Sequence, residues 1–513
     1  MLNDFMQDPF KKSHDLYNDS FLKMSPAPEY ANGEVMLAAL YRKVGFQNSK
    51  ESVPISERDV PKYGRDLQKK LFSNHPKEVN ISPSGMPKAT WRKLIETTLR
   101  SPLQPNQSTK KYLQISPIVP DACIYSLTPR QSPNSWDAGA LLISMLQYSG
   151  LKEQEIEKIW EDLFNALSVN SEDDIWAQFL QKEFETWRPT ELKKAWERSA
   201  IPSMDPRTLA WTKSSIRTPA TRFFADLKAV ISLKNYLTRR QWITMIESVL
   251  RIGSASHVLW LCKANEHTYA FLFQALFDGD PSDISTIDQK FGMAESFWRY
   301  GSKAAEPIKK SAINYLKARV GINLILHQLQ DHFGISNIKG GLSSVQELNT
   351  LLNWVASDDV RTVFDSDKFR NHYQEIIEDN LSAMAAKKGI ASNISEFLLH
   401  ILRQRQTNEV GLDTYDQSFF LGKAGNYKSA PWKVRLGPVS VMAIVHACTN
   451  ESKGPTTLNN FCSHLKEYGI EIEPDDVANS ELGNTMRSLG LVLDSPDAEG
   501  GIALINPFDY VSD

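Results

Sequence analysis

Two pairs of potential metal ligands lie near the C-terminal end of the chain. His446 and Cys448 form one pair, and Cys462 and His464 form the other. Imidazole and thiolate groups are the usual ligands of zinc, which takes four of them in structural sites. Each pair falls in a segment that predicts helix, where residues two apart point about 200° away from each other. One pair therefore cannot chelate a metal from one helix face, and we expect both cysteines in the core without a metal site.

The segment 422–429, Gly-Lys-Ala-Gly-Asn-Tyr-Lys-Ser, has nearly the spacing of a phosphate-binding loop. In such a loop, glycines let the backbone amides approach the phosphates, and a helix follows at once. Here Tyr427 stands where glycine is needed, and Pro431 follows two residues past Ser429. We therefore predict a basic turn rather than a site of nucleotide hydrolysis.

Other residues with catalytic potential lack the partners that their chemistry requires. The carboxylates of Asp278, Asp280 and Asp283 lack the ligand series of a calcium loop, so they predict a turn. His327 and His332 are five residues apart on a predicted helix, which indicates different faces. The sequence has no Gly-x-Ser-x-Gly, Cys/His nucleophile or nuclease-type acidic motif. We expect neither cofactor nor metal; a nuclease with a degenerate site in the helical middle is an alternative.

The strongest chemical signal is a segregation of basic residues within a nearly neutral chain. The 513 residues carry a net charge of −3, so binding to nucleic acid requires a local patch. Residues 61–111 hold eleven lysines and arginines against three acidic residues, which predicts a phosphate-binding surface. The alternative is a solvated basic face that offsets acidic segments elsewhere. The candidate DNA-binding residues of this region are Lys69, Lys70, Lys88, Arg92, Lys93 and Arg100.

A second basic segment is the predicted linker at residues 407–436. No acidic residue follows Asp416 within it. Its candidate DNA-binding residues are Lys423, Lys428, Lys433 and Arg435. Basic side chains of this kind contact the nucleic-acid backbone and position a protein without reading sequence. The linker is therefore expected to act as a backbone-contacting arm.

From Trp136 onward, apolar residues recur at helical spacing over most of the chain. A Gly at 253 predicts the end of a helix, so residues 239–252 and 255–278 are expected as two helices. Ser344 and Glu347 form a capping box that predicts the start of another helix. The other expected helices cover residues 136–148, 151–167, 175–184, 190–199, 219–236, 310–333, 345–355, 367–387 and 393–406.

The last segment, Gly437 to Phe508, predicts three short helices followed by a β-hairpin. The helices are expected at Pro438–His446, Thr457–Tyr468 and Asp475–Leu489. Gly469 and Gly490 suit the left-handed positions that close helices. This order resembles the winged-helix family, whose members mostly bind DNA and otherwise dock proteins.

The charges of this segment bear on what it binds. In the third helix, the residues expected to face inward are Leu482, Met486 and Leu489. Asn484 and Arg487 are expected to face outward and are candidates to read a DNA groove. The same helix begins with Asp475 and Asp476, and the hairpin has acidic residues and no basic one. Docking of another protein therefore fits the charges at least as well as DNA contact.

The expected fold is mainly α: a multi-helical body with a C-terminal winged helix whose wing is a short β-hairpin. The expected units are a basic region at 1–115, helical domains at 116–300 and 301–406, the linker at 407–436 and the winged helix at 437–513. This architecture resembles accessory subunits of bacterial phage-defence and restriction systems. The resemblance implies a non-catalytic subunit that binds double-stranded DNA and other subunits of a defence complex.

The alternative to this DNA-associated subunit is a protein-interaction scaffold without nucleic-acid contact. The four cysteines are sparse and unclustered, and the N-terminus lacks the pattern of a signal peptide. The most apolar stretch, residues 258–277, has a polar middle. We therefore expect a cytoplasmic protein without a membrane partner.

Overall fold

The computed structural model describes residues 31–46, 87, 90, 94, 116–126, 138–188, 196–201, 217–292, 296–333, 344–380, 390–405, 416–425, 429–451, 454–478, 480–493 and 502–508. Within these residues the chain is mainly helical, as predicted, and its sheets are short and two-stranded. None of the helices in this part of the chain combines the length and apolar character needed to cross a bilayer.

The helices are numbered in chain order. The first eight are α1 (Gly33–Gly45), α2 (Ala138–Gln147), α3 (Glu153–Leu167), α4 (Ile175–Trp187), α5 (Pro219–Ile231), α6 (Arg239–Asp278), α7 (Ile284–Phe291) and α8 (Ala305–Phe333). The next eight are α9 (Val345–Val355), α10 (Asp358–Val363), α11 (Ser366–Glu375), α12 (Ile390–Leu402), α13 (Pro438–Glu451), α14 (Leu458–Glu467), α15 (Pro474–Ala478) and α16 (Glu481–Ser488). Short 3-10 turns cover Pro120–Ile124 and Lys234–Tyr236, and a π turn covers Ile376–Asn380.

Six short strands complete the described structure. They are β1 (Trp298–Arg299), β2 (Leu421–Lys423), β3 (Trp432–Val434), β4 (Ile470–Glu471), β5 (Val492–Leu493) and β6 (Ala503–Leu504). β1 pairs in parallel with β4, whereas β2 with β3 and β5 with β6 are antiparallel pairs.

The centre of the molecule is α6, a single helix of 40 residues that packs against α8, α5, α1 and α13. The prediction of two helices separated at Gly253 was wrong. Gly253 lies inside α6, and a Cβ atom there would come within 2.3 Å of Cδ2 of Phe223. The missing side chain therefore lets α5 approach α6 closely, which offsets the lower helix propensity of glycine. The helix ends where Gly279 takes a left-handed φ of 71°.

Local signals placed several other helices correctly. Ser344 accepts a hydrogen bond from the Glu347 amide at 3.1 Å and begins α9 as its capping motif predicts. Asp283 caps α7 in the same way, and the predicted turn is a short connection between α6, which ends at Asp278, and α7. The expected helix at residues 190–199 lies mostly outside the described residues, and residues 196–200 are not helical.

A buried cluster of five charged side chains joins α1 and α6 to residues 401–405 and 416–418. Arg251 Nη1 lies 2.8 Å from Asp416 Oδ1, and Arg405 Nε lies 3.2 Å from Asp416 Oδ2. Arg405 Nη2 also lies 2.8 Å from Glu247 Oε1, and Arg405 Nη1 lies 3.1 Å from Glu34 Oε2. These two contacts are ion pairs whose angles are outside the range of hydrogen bonds. Each charge thus has an opposite charge beside it, as burial away from water requires.

Burial and ion pairing act differently on two acids of this cluster. Burial raises the pKa of Glu247 to about 7, although Arg405 and Arg251 act to lower it. Burial also acts to raise the pKa of Asp416, but Arg251 and Arg405 outweigh that effect and hold it well below its ordinary value. Asp416 is therefore the anion that compensates both arginines.

The C-terminal segment, residues 438–508, is attached to the helical body by a second buried polar group. Asp226 on α5 accepts a hydrogen bond from Arg222 Nε at 3.0 Å and another from the Tyr468 hydroxyl at 2.7 Å. His464 Nε2 lies 2.8 Å from Oδ2 of Asp226, the oxygen that also accepts from Tyr468. Because α13 also packs against α5 and α6, the segment shares the core of the body.

Within this segment the order of elements is three helical regions and then an antiparallel strand pair. The third region was predicted as one helix, but it consists of α15 and α16. Ser480 interrupts it, because its hydroxyl accepts hydrogen bonds from the Leu482 and Gly483 amides and caps a new helix. The strand pair β5–β6 lies where a hairpin was predicted, and the turn between the strands lies outside the described residues.

Candidate nucleic-acid interface

The candidate DNA-binding residues divide into two sets. Six of them in the segment 61–111, and also Lys428, lie outside the described residues, so the surface predicted there stays a prediction. The structure places the remaining five, which are Lys423, Lys433, Arg435, Asn484 and Arg487. Three of these five, Lys423, Lys433 and Arg435, lie close to residues from distant parts of the chain.

Strands β2 and β3 form the middle of a small sheet that we call the basic sheet, residues 301–304, 403–404, 421–423 and 432–435. On one side, the Ala304 amide donates to the Trp432 carbonyl at 3.0 Å. On the other side, the Gln404 amide donates to the Leu421 carbonyl at 2.8 Å. Leu421 and Val434 are buried, so the sheet is anchored to the core. The basic residues of the predicted linker are therefore held on a folded surface.

The segment 422–429, whose spacing is nearly that of a phosphate-binding loop, begins as part of a strand. Gly422 and Lys423 lie in β2, where Gly422 is paired with Lys433 and Lys423 with Trp432. A backbone committed to a strand pair does not present successive amides to a phosphate as a loop does. The basic turn that we predicted is thus partly strand, and Lys423 within it contributes the charge of its side chain.

The clearest electrostatic feature of the basic sheet is a pair of lysines directly opposite each other. Lys303 and Lys433 are antiparallel partners. Hydrogen bonds lie on either side of them, from Val434 to Ser302 and from Ala304 to Trp432, so they form a non-hydrogen-bonded pair. Cα atoms in such pairs are only about 4.5 Å apart, and both side chains project from the same face. Neither ammonium group makes an ion pair with a described residue.

A second group of cations surrounds the half-buried ring of Trp432. Lys423 Nζ lies 5.8 Å from the ring centroid, and the guanidinium carbon of Arg403 lies 6.0 Å from it. Both distances are within the range of cation–π attraction, which positions the two charges at the edge of the sheet.

Arg435 lies on the same face as Lys433, two residues further along. Its Nη1 donates to the Lys423 carbonyl at 3.2 Å, and its Nη2 makes an ion pair with Glu481 of α16. The basic sheet is therefore in contact with the acidic start of α16.

Asn484 and Arg487 are exposed on α16, as predicted, while Leu482 and Met486 face the core. Arg487 Nη1 donates to Asn484 Oδ1 at 3.4 Å, so these two polar side chains also lie together.

Sequence reasoning missed three members of this interface: Lys303, Arg403 and Trp432. One signal was present in the sequence. The alternation Trp432-Lys-Val-Arg435, with Val434 buried, has the period of a strand and places Lys433 and Arg435 on one face. Lys303 and Arg403 had no local signal, because the pairing of distant segments brings them to the sheet.

The four potential soft metal ligands do not converge. Cys448 and Cys462 are buried, as predicted, and burial raises the pKa of both thiols to about 12. His446 contacts Asn506 and the Ala229 carbonyl, whereas His464 contacts Asp226. Among the described residues, no group of three or more His, Cys, Asp or Glu side chains has the arrangement of a metal site.

A cavity of about 280 Å³ lies between α8 and α11. Its polar lining mixes acids and bases: His327, Asp331, His332, Asp365, Lys368 and His372. His327 is buried and His332 is exposed, so they lie on different faces of α8 as expected, yet both line the cavity. Five residues turn about 140° around a helix, so a cavity that wraps around the end of α8 meets both side chains.

One partly buried pair has the residue types of nucleophilic catalysis. Ser144 Oγ lies 3.2 Å from His257 Nε2. Burial lowers the pKa of His257 to about 3, and its Nδ1 makes no hydrogen bond with a described residue. An activated serine requires a third group that orients the histidine through this nitrogen. The pair therefore lacks the arrangement of a catalytic triad.

Comparisons with protein-family models, curated proteins and solved structures found no significant match.

Proposed function

We propose that this protein binds nucleic acid through the phosphate backbone, with the basic sheet as a principal contact, and acts as a non-catalytic subunit. The observation that carries the proposal is the Lys303–Lys433 pair. Like charges directly opposite each other on neighbouring strands destabilise a sheet. A phosphate bound between the two ammonium groups would remove that repulsion, and it would release counterions from the nucleic acid.

Double-stranded DNA is the proposed ligand. The contacts on the basic sheet come from Lys and Arg side chains, which neutralise phosphates without reading base edges. Binding should therefore depend strongly on salt and weakly on sequence. The basic segment 61–111 is proposed as a second backbone contact, with the same chemistry.

We also propose that residues 437–513 are a winged helix. The order of α13, α14, the α15–α16 pair and the strands β5 and β6 supports this proposal. An isolated bridge between Thr457, just before α14, and Ala503 in β6 adds a third strand position beside the hairpin. Asn484 and Arg487 on α16 are the side chains proposed to reach DNA from this unit.

The wider role proposed is that of an accessory subunit in a bacterial antiviral defence complex. This proposal rests on the architectural resemblance alone: a helical body, basic backbone contacts and a C-terminal winged helix. The partners would be the other subunits of the complex, docked on the acidic surface of the C-terminal segment.

The test is a salt-dependent binding assay with duplex DNA. Reversing both charges, Lys303→Glu with Lys433→Glu, should weaken binding and reduce the slope of log affinity against log salt by about 0.9, since the two lysines share one phosphate and each neutralised phosphate contributes about that amount. The matched control is Lys182→Glu with Lys290→Glu, which reverses two exposed lysines on α4 and α7. Equal effects of the two double variants would contradict a role for the basic sheet.

A second candidate function is a protein-interaction scaffold without nucleic-acid contact. The exposed carboxylates of Asp475, Asp476 and Glu481 favour it, because they offer a surface for a basic partner. Under this alternative, complexes isolated from the native host would survive nuclease treatment, and purified protein would show no salt-dependent DNA binding. Metal-dependent DNA cleavage by the purified protein would instead support the nuclease alternative.

A further inference from the structure

We propose that two carboxylates of the C-terminal segment occupy the places of phosphates at arginines beside the basic sheet, so that DNA binds there by exchange. The two carboxylates are Glu481, which holds Arg435, and Asp476, which holds Arg299. This inference rests on the proposed function, and it adds a restraint on DNA binding within the protein itself.

The contacts that carry the inference connect two separate surfaces. Arg299 Nη2 lies 3.1 Å from Asp476 Oδ2, and Arg435 Nη2 is in contact with Glu481 Oε1. Arg435 lies on the lysine-bearing face of the basic sheet, and Arg299 lies in β1, just before residues 301–304. Arg435 thus lies beside Lys433 on one face of the sheet, Arg299 lies in the strand that leads into it, and acids of the C-terminal segment hold both arginines.

The exposure of these ion pairs makes exchange feasible. The side chains of Arg299 and Asp476 are 66% and 54% exposed, and that of Glu481 is 68% exposed, whereas that of its partner Arg435 is 29% exposed. Ion pairs in such a setting contribute little stability, because water screens them and ordering two side chains costs entropy. Arginine forms stronger, bidentate hydrogen bonds with phosphate groups. A phosphate can therefore replace either carboxylate at small cost.

Arg435 is in addition held in place by a contact that exchange leaves intact. Its Nη1 donates to the Lys423 carbonyl at 3.2 Å. When Glu481 withdraws, the guanidinium stays oriented on the sheet, and its Nη2 becomes available. Arg435 is thus a prepared phosphate contact that Glu481 occupies in the absence of DNA.

Glu473 supplies a matched control for the charge of Glu481. It is an exposed carboxylate in the same segment, and it forms no ion pair with a described residue. Replacing either glutamate by glutamine removes one negative charge from nearly the same region. Only Glu481→Gln also releases Arg435 from its ion pair. The difference in DNA affinity between the two variants therefore measures the effect of the exchange apart from the change in net charge.

The experiment measures the affinity of the full-length protein for a short DNA duplex over a range of salt concentrations. We expect Glu481→Gln to bind several-fold more tightly at low salt, with a slope steeper by about 0.9, which corresponds to one more phosphate contact. Asp476→Asn should act in the same direction. Glu473→Gln should leave the slope unchanged. Adding Arg435→Gln to Glu481→Gln should abolish the gain, since the double variant removes the contact that exchange provides.

Two outcomes would overturn the inference while leaving the proposed function standing. One is wild-type binding that depends on Lys303 and Lys433 but is unaffected by Glu481→Gln. The other is an equal gain in Glu481→Gln and Glu473→Gln, which would indicate long-range charge alone. Absence of salt-dependent DNA binding in the wild type and in every variant would overturn both this inference and the proposed function. Thermal unfolding of the variants checks that their folds are intact.

Discussion

Two residues of one short segment, Arg403 and Arg405, belong to opposite electrostatic environments. Arg405 is buried and makes ion pairs with Glu34, Glu247 and Asp416. Arg403 lies at the ring of Trp432, on the edge of the basic sheet. In the buried cluster every charge has an opposite charge beside it. On the basic sheet, like charges face each other across neighbouring strands.

The difference separates charges that hold the fold together from charges that are available to a ligand. A buried charge without a partner costs several kcal/mol, so a stable protein compensates it. An exposed like-charge pair costs far less, because water and salt screen it. The Lys303–Lys433 pair can therefore be retained in the folded protein at modest cost, which is what a phosphate site requires.

The largest effect is expected from breaking the buried cluster. Asp416→Asn should destabilise the protein by about 3–5 kcal/mol, because it leaves Arg251 and Arg405 without their central anion. Urea unfolding measures this change in the free energy of unfolding. Asp476→Asn, which removes an exposed ion pair, serves as the control and should cost less than about 1 kcal/mol. Comparable losses in the two variants would contradict the distinction between the regions.

The pH dependence of stability should also come from the buried cluster. The pKa of Glu247 is raised in the folded protein, from 4.5 to about 7. Between these values the folded state binds more protons than the unfolded state, so this residue makes stability fall as the pH rises. The contribution is at most about 3 kcal/mol across that window. Asp416 acts in the opposite sense, and its contribution is lost as the pH falls below the ordinary value of 3.8.

Glu247→Gln tests this assignment. Unfolding measured at several pH values should show that the decrease between pH 4.5 and 7 is smaller in the variant than in the wild type. Variants of the basic sheet should keep the wild-type pH profile. An unchanged profile in Glu247→Gln would show that this carboxyl does not titrate in the expected window.

The smallest change in stability is expected at the basic sheet, where one substitution should stabilise the protein rather than destabilise it. Lys433→Glu turns the like-charge pair with Lys303 into an opposite-charge pair. Stability should therefore rise slightly, by up to about 1 kcal/mol, while DNA binding weakens. Thermal unfolding and DNA binding measured on the same preparation check both signs. A loss of stability together with a loss of binding would indicate a structural rather than a ligand-binding role for Lys433.

Local sequence signals accounted for much of the fold. The capping of α9 by Ser344 and the periodicity of α3 depend on residues within a few positions of each other, so they were predicted correctly. The errors arose where a distant contact or a competing cap decided the outcome. Gly253 continues a helix because Phe223 packs against it, and Ser480 divides a predicted helix because its hydroxyl caps α16.

The candidate site was predictable only in part. Lys423, Lys433 and Arg435 stood out because no acidic residue lies near them in the sequence. The charge of these side chains can be read from the sequence, whereas the residues that they contact cannot. Lys303 and Arg403 join them through backbone pairing with β3 and β2, and Glu481 reaches Arg435 from the C-terminal segment.

The sequence by itself determined that this chain is mainly helical and that its basic residues are concentrated in short segments. Hydrophobic periodicity and side-chain charge are local, so they can be read without the fold. Only the tertiary structure decided which charges are neutralised. Arg405 is paired because the packing of α1 and α6 places Glu34 and Glu247 beside it, whereas strand register places Lys303 opposite Lys433. Desolvation and register depend on residues far apart in the chain, and those contacts exist only after folding.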